Sequence, residues 1–335
     1  MLKHKTPLSV AVLTILLSAC QPKQPDPAVS SETAASTVVD TEPRLEGSTE
    51  KLVLKMPDCD DKNCPEFSVE RLRSNQFVLD QIIDQAIITN LKQMLDSVEH
   101  GEQPASMAKA TQSQSGKAAQ SQSANASTEL PASAAVTEQV SKTPAQHMAD
   151  QVQPYLQTFL ALDQELKAVG ASHKINLLIS PRILNSEAPL ATVVINSSSY
   201  IGGAHGASAQ TYYNFDLKHQ KQIQLKDILQ ANQYPALEKL TYAAYKAWIT
   251  ETNPTVKVAE YEQAWKFKMS DNFYLGQQGL ILQYGEYDIG PYVVGLPRLV
   301  IPYEQLNSIL KDQYFPANMQ LDQPSSSVVA TKAPH

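Results

Sequence analysis

Apolar side chains recur along this chain at two spacings, and each spacing predicts an element. Ala207, Ala209, Thr211, Tyr213, Phe215 and Leu217 alternate with their neighbours over eleven residues, which predicts the clearest strand of the chain. The same period marks Leu52, Leu54 and Met56 in Lys51–Met56, then Phe67–Leu72, then Ile175, Leu177 and Ile179, then Leu190–Ser199. Gln222–Leu225 returns after a turn at 218–221. Phe273–Leu275, a glycine turn and Leu280–Tyr284 predict a hairpin, and Leu299–Ile301 a last strand. Helical spacing sets in elsewhere. Leu79, Ile83, Ile87, Leu91, Met94 and Val98 predict a helix over Asn75–Glu99, with Ser74 as its cap and Gly101 as its stop. A second helix carries Val152, Phe159, Leu162 and Leu166 and runs to about Val169, with Pro154 expected to kink or restart it. Tyr234–Thr252 is amphipathic through Leu237, Leu240, Ala244 and Trp248. Shorter helices are predicted near Val258–Phe267 and over Tyr303–Leu310. Hairpins outnumber crossover units, so the expected fold is α+β, a mainly antiparallel sheet with helices packed on one face.

Three stretches carry neither period. Residues 101–142 are mostly Ala, Ser and Gln and predict a long disordered insertion. The insertion interrupts one domain rather than separating two, because two strands and a helix before it hold too little core to stand alone. Gln21–Glu50 is rich in Pro, Ser, Thr, Ala and Glu and reads as a tether. Such a coil spans roughly 30 Å on average and ~100 Å when stretched. Residues 317–335 form a Ser/Pro tail, which leaves 51–316 as the expected domain.

The first twenty residues, MLKHKTPLSVAVLTILLSAC, begin with Lys3 and Lys5, continue in an apolar run from Leu8 to Leu17, and close on Leu17-Ser18-Ala19-Cys20. The run is too short to span a bilayer. The segment resembles a bacterial lipoprotein signal peptide with its lipobox. That resemblance implies removal of residues 1–19, lipidation of Cys20 and a life in the cell envelope, attached to the membrane through the lipid alone. Gln21 after the lipidated cysteine implies the outer membrane, facing the periplasm. Loss of Lys3 and Lys5 takes the formal charge from −7 to −9, with 25 Lys+Arg against 34 Asp+Glu. No basic stripe interrupts this acidity, which argues against a nucleic-acid partner and favours a cationic one, mainly at low salt. It also simply keeps a protein soluble.

Two cysteines remain, Cys59 and Cys64 in PDCDDKNCPEF. In an oxidising compartment a disulfide is the simplest outcome. Metal binding with Asp58, Asp60 and Asp61 is the rival, weakened by hard oxygen ligands beside thiols and by the absence of paired histidines. No metal site and no cofactor are expected.

Two glycine-rich stretches hold the candidate chemistry. In Tyr200-Ile201-Gly202-Gly203-Ala204-His205-Gly206, glycines permit positive φ, and His205 is either a ligand contact, an acid/base, or a pin for the turn. The second stretch, Tyr284–Pro297, gathers Tyr287, Asp288, Pro291 and Tyr292 with Gly285, Glu286 and Gly290. Tyrosine offers contact area at low entropy cost and proline stiffens a loop, which suits recognition. A loop packed across the end of a sheet has the same composition. Thirteen of the fourteen tyrosines lie between Tyr200 and Tyr314, and half or more of them are expected in or near the core. Enzyme signatures such as G-x-S-x-G, H-E-x-x-H and the phosphate loop do not occur. Ser197, Ser198 or Ser199 with His205 and Asp216 make a nominal triad, but a triad is a geometry and not a composition.

SSSYIGGAHGASAQTYYNFDLKHQKQIQLKDIL and the later FYLGQQGLILQYGEYDIGPYVVGLPRLVIPY resemble the extracellular domain of RsiV-type anti-sigma factors. The resemblance covers roughly Leu52 to Leu310, and related domains precede the catalytic part of PdaC-type peptidoglycan deacetylases. It implies a binding module for lysozyme-like wall hydrolases or peptidoglycan. Tyr287, Asp288, Pro291 and Tyr292 would form its contact surface, with Tyr200, Gly203 and His205 shaping the adjoining edge. The membrane-spanning helix and cytoplasmic segment of an anti-sigma factor are not expected here, nor is a deacetylase domain. The expected function is therefore a lipid-anchored binding module without catalysis. The alternative is a peptidoglycan-glycan hydrolase or esterase using His205 and a carboxylate such as Asp288.

Overall fold

The computed structural model describes residues 43–59, 63–99 and 142–320. The signal segment, Cys20, nearly all of the 101–142 insertion and the tail beyond Gln320 lie outside these residues. Strands β1 (Gly47–Lys51), β2 (Glu66–Ser74), β3 (Asn176–Asn185), β4 (Ala191–Tyr200), β5 (Ala207–Asp216) and β6 (Lys221–Ile223) form a six-stranded sheet in chain order. Strands β7 (Phe273–Leu275), β8 (Gly279–Gln283) and β9 (Arg298–Pro302) form a second, antiparallel sheet. The fold is α+β, and the larger sheet is antiparallel except between β2 and β3.

Helices α1 (Phe77–Glu99) and α2 (Pro144–Ala168) lie on one face of the large sheet. Leu79, Ile83, Ile87, Leu91 and Met94 of α1 and Val152, Leu156 and Phe159 of α2 are buried against Phe67, Val69, Leu177, Ile179, Val193 and Ile195. Each such side chain contributes roughly 1.5–3 kcal/mol on leaving water. Ser74 shapes the entry to α1, accepting from Gln76 N at 3.0 Å while its own hydroxyl donates to Asp80 at 2.7 Å. Thr143 opens α2 with a reciprocal capping box to Gln146. Pro154 sits inside α2, which runs unbroken through it. By strand alternation Glu70, Ser180, Arg182, Asn196 and Gln210 face the opposite way, where hydrogen bonds join them.

A second core gathers α3 (Tyr234–Thr252), α4 (Val258–Ala264), the small sheet and the C-terminal turns, α5 (Ala317–Gln320) included. Tyr245, Tyr284 and Tyr303 are nearly fully buried in it. Their hydroxyls donate to backbone carbonyls of irregular segments, Trp265 O, Lys268 O (3.0 Å) and Gly276 O (2.9 Å) respectively. These phenols therefore satisfy loop backbone as well as fill volume.

Side chains join the two sheets. Asn272 donates to Gln210 O at 2.7 Å and accepts from Tyr212 N at 2.8 Å, standing in for a strand along the free edge of β5. Asn214 reaches back to Phe273 O at 2.8 Å.

Four expectations need correction. The strand expected at Lys51–Met56 lies earlier, at Gly47–Lys51, and the following residues are irregular although Leu52 is buried. The tether therefore ends before Glu50, since Leu45 is 2% exposed and belongs to the first core. The fold also continues past residue 316, because Met319 of α5 packs on the second core. The helix expected at Tyr303–Leu310 is a succession of tight turns closed by Leu306 N→Tyr303 O and Ile309 N→Leu306 O. Cys59 and Cys64 are joined as a disulfide with Cα atoms 5.9 Å apart.

Candidate functional site

The two glycine-rich stretches meet. Gly202 and Gly203 have φ of 92° and 89°, a left-handed pair that side chains other than glycine resist. The Tyr200 hydroxyl donates to Gly203 O at 3.2 Å and closes the turn. His205 is thereby directed at the second loop. Its Nδ1 lies 2.9 Å from Gly206 O, which can only accept, so Nδ1 carries the proton. Nε2 then accepts from the Tyr287 hydroxyl at 2.8 Å. The imidazole stacks on Tyr292, ring centroids 3.8 Å apart and planes at 20°. Trp265 extends the group, 6.4 Å from Tyr287.

The second loop is braced from beneath. The Gly285 amide donates to Asp288 Oδ2 at 2.7 Å, and Asp288 Oδ1 is ion-paired with Lys268. The Asp288 side chain is 6% exposed. Asp288 is therefore part of the loop's frame and not of its outer surface, which corrects its expected place among the contact residues. Tyr287 holds a left-handed φ of 61°, a conformation costing a tyrosine about 1–2 kcal/mol, which the brace and the His205 bond offset. Gly290 packs so closely that a Cβ there would stand 2.6 Å from the Tyr261 hydroxyl and 3.1 Å from Trp248. Pro291 starts a tight turn over Tyr292–Val294. Its tip is apolar and in water: Tyr292 is 37% and Val293 88% exposed.

Glu286 and Trp265 were not among the expected site residues. The Glu286 carboxylate is buried and accepts from Ser208 N at 3.0 Å, tying the loop to β5. Burial pushes its carboxyl above the ordinary range, against the opposing hydrogen bond from the Ser208 amide and the lesser influence of His205. Glu286 thus ties the loop to β5, whereas Asp288 braces it from beneath. Nothing in its sequence neighbourhood separates the two acids, and Trp265 reaches the site only through the fold.

The nominal triad does not assemble. Asp216 ends β5 at the edge opposite His205 and binds His219 instead, about 30 Å along the strand. Among the described residues, no three His, Cys, Asp or Glu side chains stand close enough to hold a metal ion. Among them, too, no helix is long and apolar enough to cross a membrane.

Residues 226–304 match the family model described as "Protein of unknown function (DUF3298)". That span holds Glu286, Tyr287, Asp288, Pro291 and Tyr292 and begins after His205. The peptidoglycan-N-acetylmuramic acid deacetylase PdaC of Bacillus subtilis is 25% identical over 156 residues, 45% of this chain and 33% of that protein. The match thus spans about a third of that relative's length. A crystal structure of a DUF3298 family protein from Pseudomonas aeruginosa has the same fold, with a TM-score of 0.51 at 22% identity over 83% of this chain and 98% of that one. A DUF3298 family member from Bacteroides fragilis aligns with a TM-score of 0.48 at 20% identity, over 80% of this chain and 94% of that one.

Proposed function

We propose that this protein is a lipid-anchored module of the bacterial envelope that binds a lysozyme-like wall hydrolase, or peptidoglycan itself, without catalysis. The observation that carries the reading is the Tyr292–Val293 tip, exposed on a loop whose rings are fixed by His205 and Tyr287 and whose base is fixed by Asp288 and Lys268. A rigid apolar tip loses little entropy on docking, which is what a recognition loop needs. The −9 charge of the processed chain complements a cationic hydrolase. The likeness of the two glycine-rich stretches to RsiV-type ectodomains and the distant likeness to a protein named as a peptidoglycan deacetylase support the wall as its setting.

Calorimetric titration with lysozyme at low salt tests the reading. Binding should be lost in Tyr292→Ala/Val293→Asp, and absence of heat at concentrations of roughly tens of micromolar overturns the lysozyme version. Anchoring is tested by metabolic labelling with palmitate, which Cys20→Ala should abolish. The alternative of a glycan hydrolase or esterase keeps one favourable observation, the carboxyl of Glu286 raised in pKa beside His205. Against it, both ring nitrogens of His205 are occupied by Gly206 and Tyr287. Turnover of a chromogenic wall glycan or acetyl ester that disappears in both His205→Ala and Glu286→Gln would favour the enzyme.

A further inference from the structure

The far end of the large sheet, away from His205, opens into a groove of about 440 Å³. Four segments distant in sequence build it. Phe215, Tyr314 and Phe315 form its floor and are almost completely buried, while Pro43, Pro189 and Leu217 form its walls. Asp216, Lys218 and His219 stand on the rim. The Asp216 carboxylate holds His219 through both of its oxygens, from the backbone N at 3.0 Å and from Nδ1 at 2.7 Å. The ring is thereby fixed although it is 71% exposed, and its Nε2 has no partner among the described residues. Lys218 is exposed and makes no ion pair among them either. The groove thus combines an apolar floor with an unpaired ammonium and an oriented imidazole nitrogen at one side.

We propose that this groove binds the free carboxylate end of a short peptide of small apolar residues, and that its occupant is the alanine-terminated stem peptide of peptidoglycan. Its volume lies within the roughly 300–1,000 Å³ typical of small-ligand sites. Flat aromatic and proline walls accept methyl groups, and they offer few partners for the many hydroxyls of a sugar. Lys218 supplies the charge that a carboxylate needs, and His219 Nε2, an acceptor while Nδ1 donates to Asp216, takes a peptide N–H. The identity of the occupant rests on the wall setting proposed above, whereas the groove is separate from the Tyr292 tip.

Amide NMR of the full chain in detergent micelles tests this with three probes: N-acetyl-D-Ala-D-Ala, the same dipeptide as its C-terminal amide, and chitotetraose. The acid should shift the signals of Leu217, Lys218, His219 and Ala317, and the amide should bind about tenfold more weakly. Lys218→Glu should produce the same tenfold loss for the acid while lysozyme heats stay unchanged. The proposal is overturned if the acid moves no groove signal at roughly 10 mM. It is equally overturned if the amide binds as well as the acid, or if chitotetraose is the only probe to shift the groove. Lysozyme binding reads the other end of the sheet, so failure of either proposal leaves the other measurable.

Discussion

Strands β4 and β5 pair along their whole length, and a histidine and a carboxylate stand at each end of their ladder. At one end His205 has both ring nitrogens bonded and its ring stacked on Tyr292. The carboxylate there, Glu286, is buried, and burial raises its pKa. At the other end His219 is exposed and held by one nitrogen, while Asp216 sits in a turn that donates two bonds to it. Burial again opposes the charged form of Asp216, but the His219 ring and the backbone amides of His219 and Lys218 outweigh it and lower the pKa. A histidine beside a carboxylate thus reaches opposite electrostatic outcomes at the two ends. What differs is whether the carboxylate exchanges water for apolar surroundings or for donors. The first end is a clasp between two loops, and the second is an open rim.

The largest effects should come from breaking the clasp by volume. In Gly290→Ala the new methyl meets the Tyr261 hydroxyl, Val294 and Trp248, and the loop must lift. The expected destabilisation is about 1–3 kcal/mol in urea unfolding, together with loss of lysozyme heat. An unaltered midpoint would show that the loop is not packed down as described. The histidines come next. His205→Ala removes a ring stack and two hydrogen bonds and should cost about 1–2 kcal/mol. His219→Ala, at the exposed rim, should stay within about 0.5 kcal/mol of the parent. Equal losses at the two positions would erase the distinction between clasp and rim.

How far this arrangement could be read beforehand depended on whether the deciding contact was local. The alternation from Ala207 to Leu217 revealed β5, and the spacing of Leu237, Leu240 and Ala244 revealed α3, because an apolar face writes its period into neighbouring residues, although Thr211 to Phe215 are buried on both faces of the sheet. Strand β1, GSTEK, writes no period, since it is polar throughout and is held by pairing with β2. Tyr303, Leu306 and Leu310 carry helical spacing and are all buried, yet they serve successive tight turns. Within the site, the meeting of His205 with Tyr287 and Tyr292 was anticipated only as a shared neighbourhood. Asp288 and Glu286 lie two residues apart in the same loop, and either one suits surface or frame. Lys268 and Ser208, which settle their positions, approach from other segments. The tyrosine concentration pointed to recognition in part, but Tyr245, Tyr284 and Tyr303 spend it on holding loop carbonyls inside the second core.

The smallest expected effect is also the one that most sharply separates the two ends, because its sign reverses. Glu286 has a folded-state pKa above its unfolded value. The folded protein therefore holds this proton more tightly, and the associated stability is full below the ordinary carboxylate range and is lost as pH rises through the raised value. Asp216 has a folded-state pKa below its unfolded value. Its contribution is present above the ordinary carboxylate range and is lost as pH falls through the lowered value. Unfolding midpoints measured across the acidic range should therefore respond in opposite ways to neutral substitutions. Glu286→Gln should remove a decline in stability on the upper side of the carboxylate range, and its amide oxygen can still accept from Ser208 N. Asp216→Asn should remove a decline on the lower side. If both substitutions flatten the same limb of the curve, the two carboxylates share one regime, and burial is not what distinguishes the clasp from the rim.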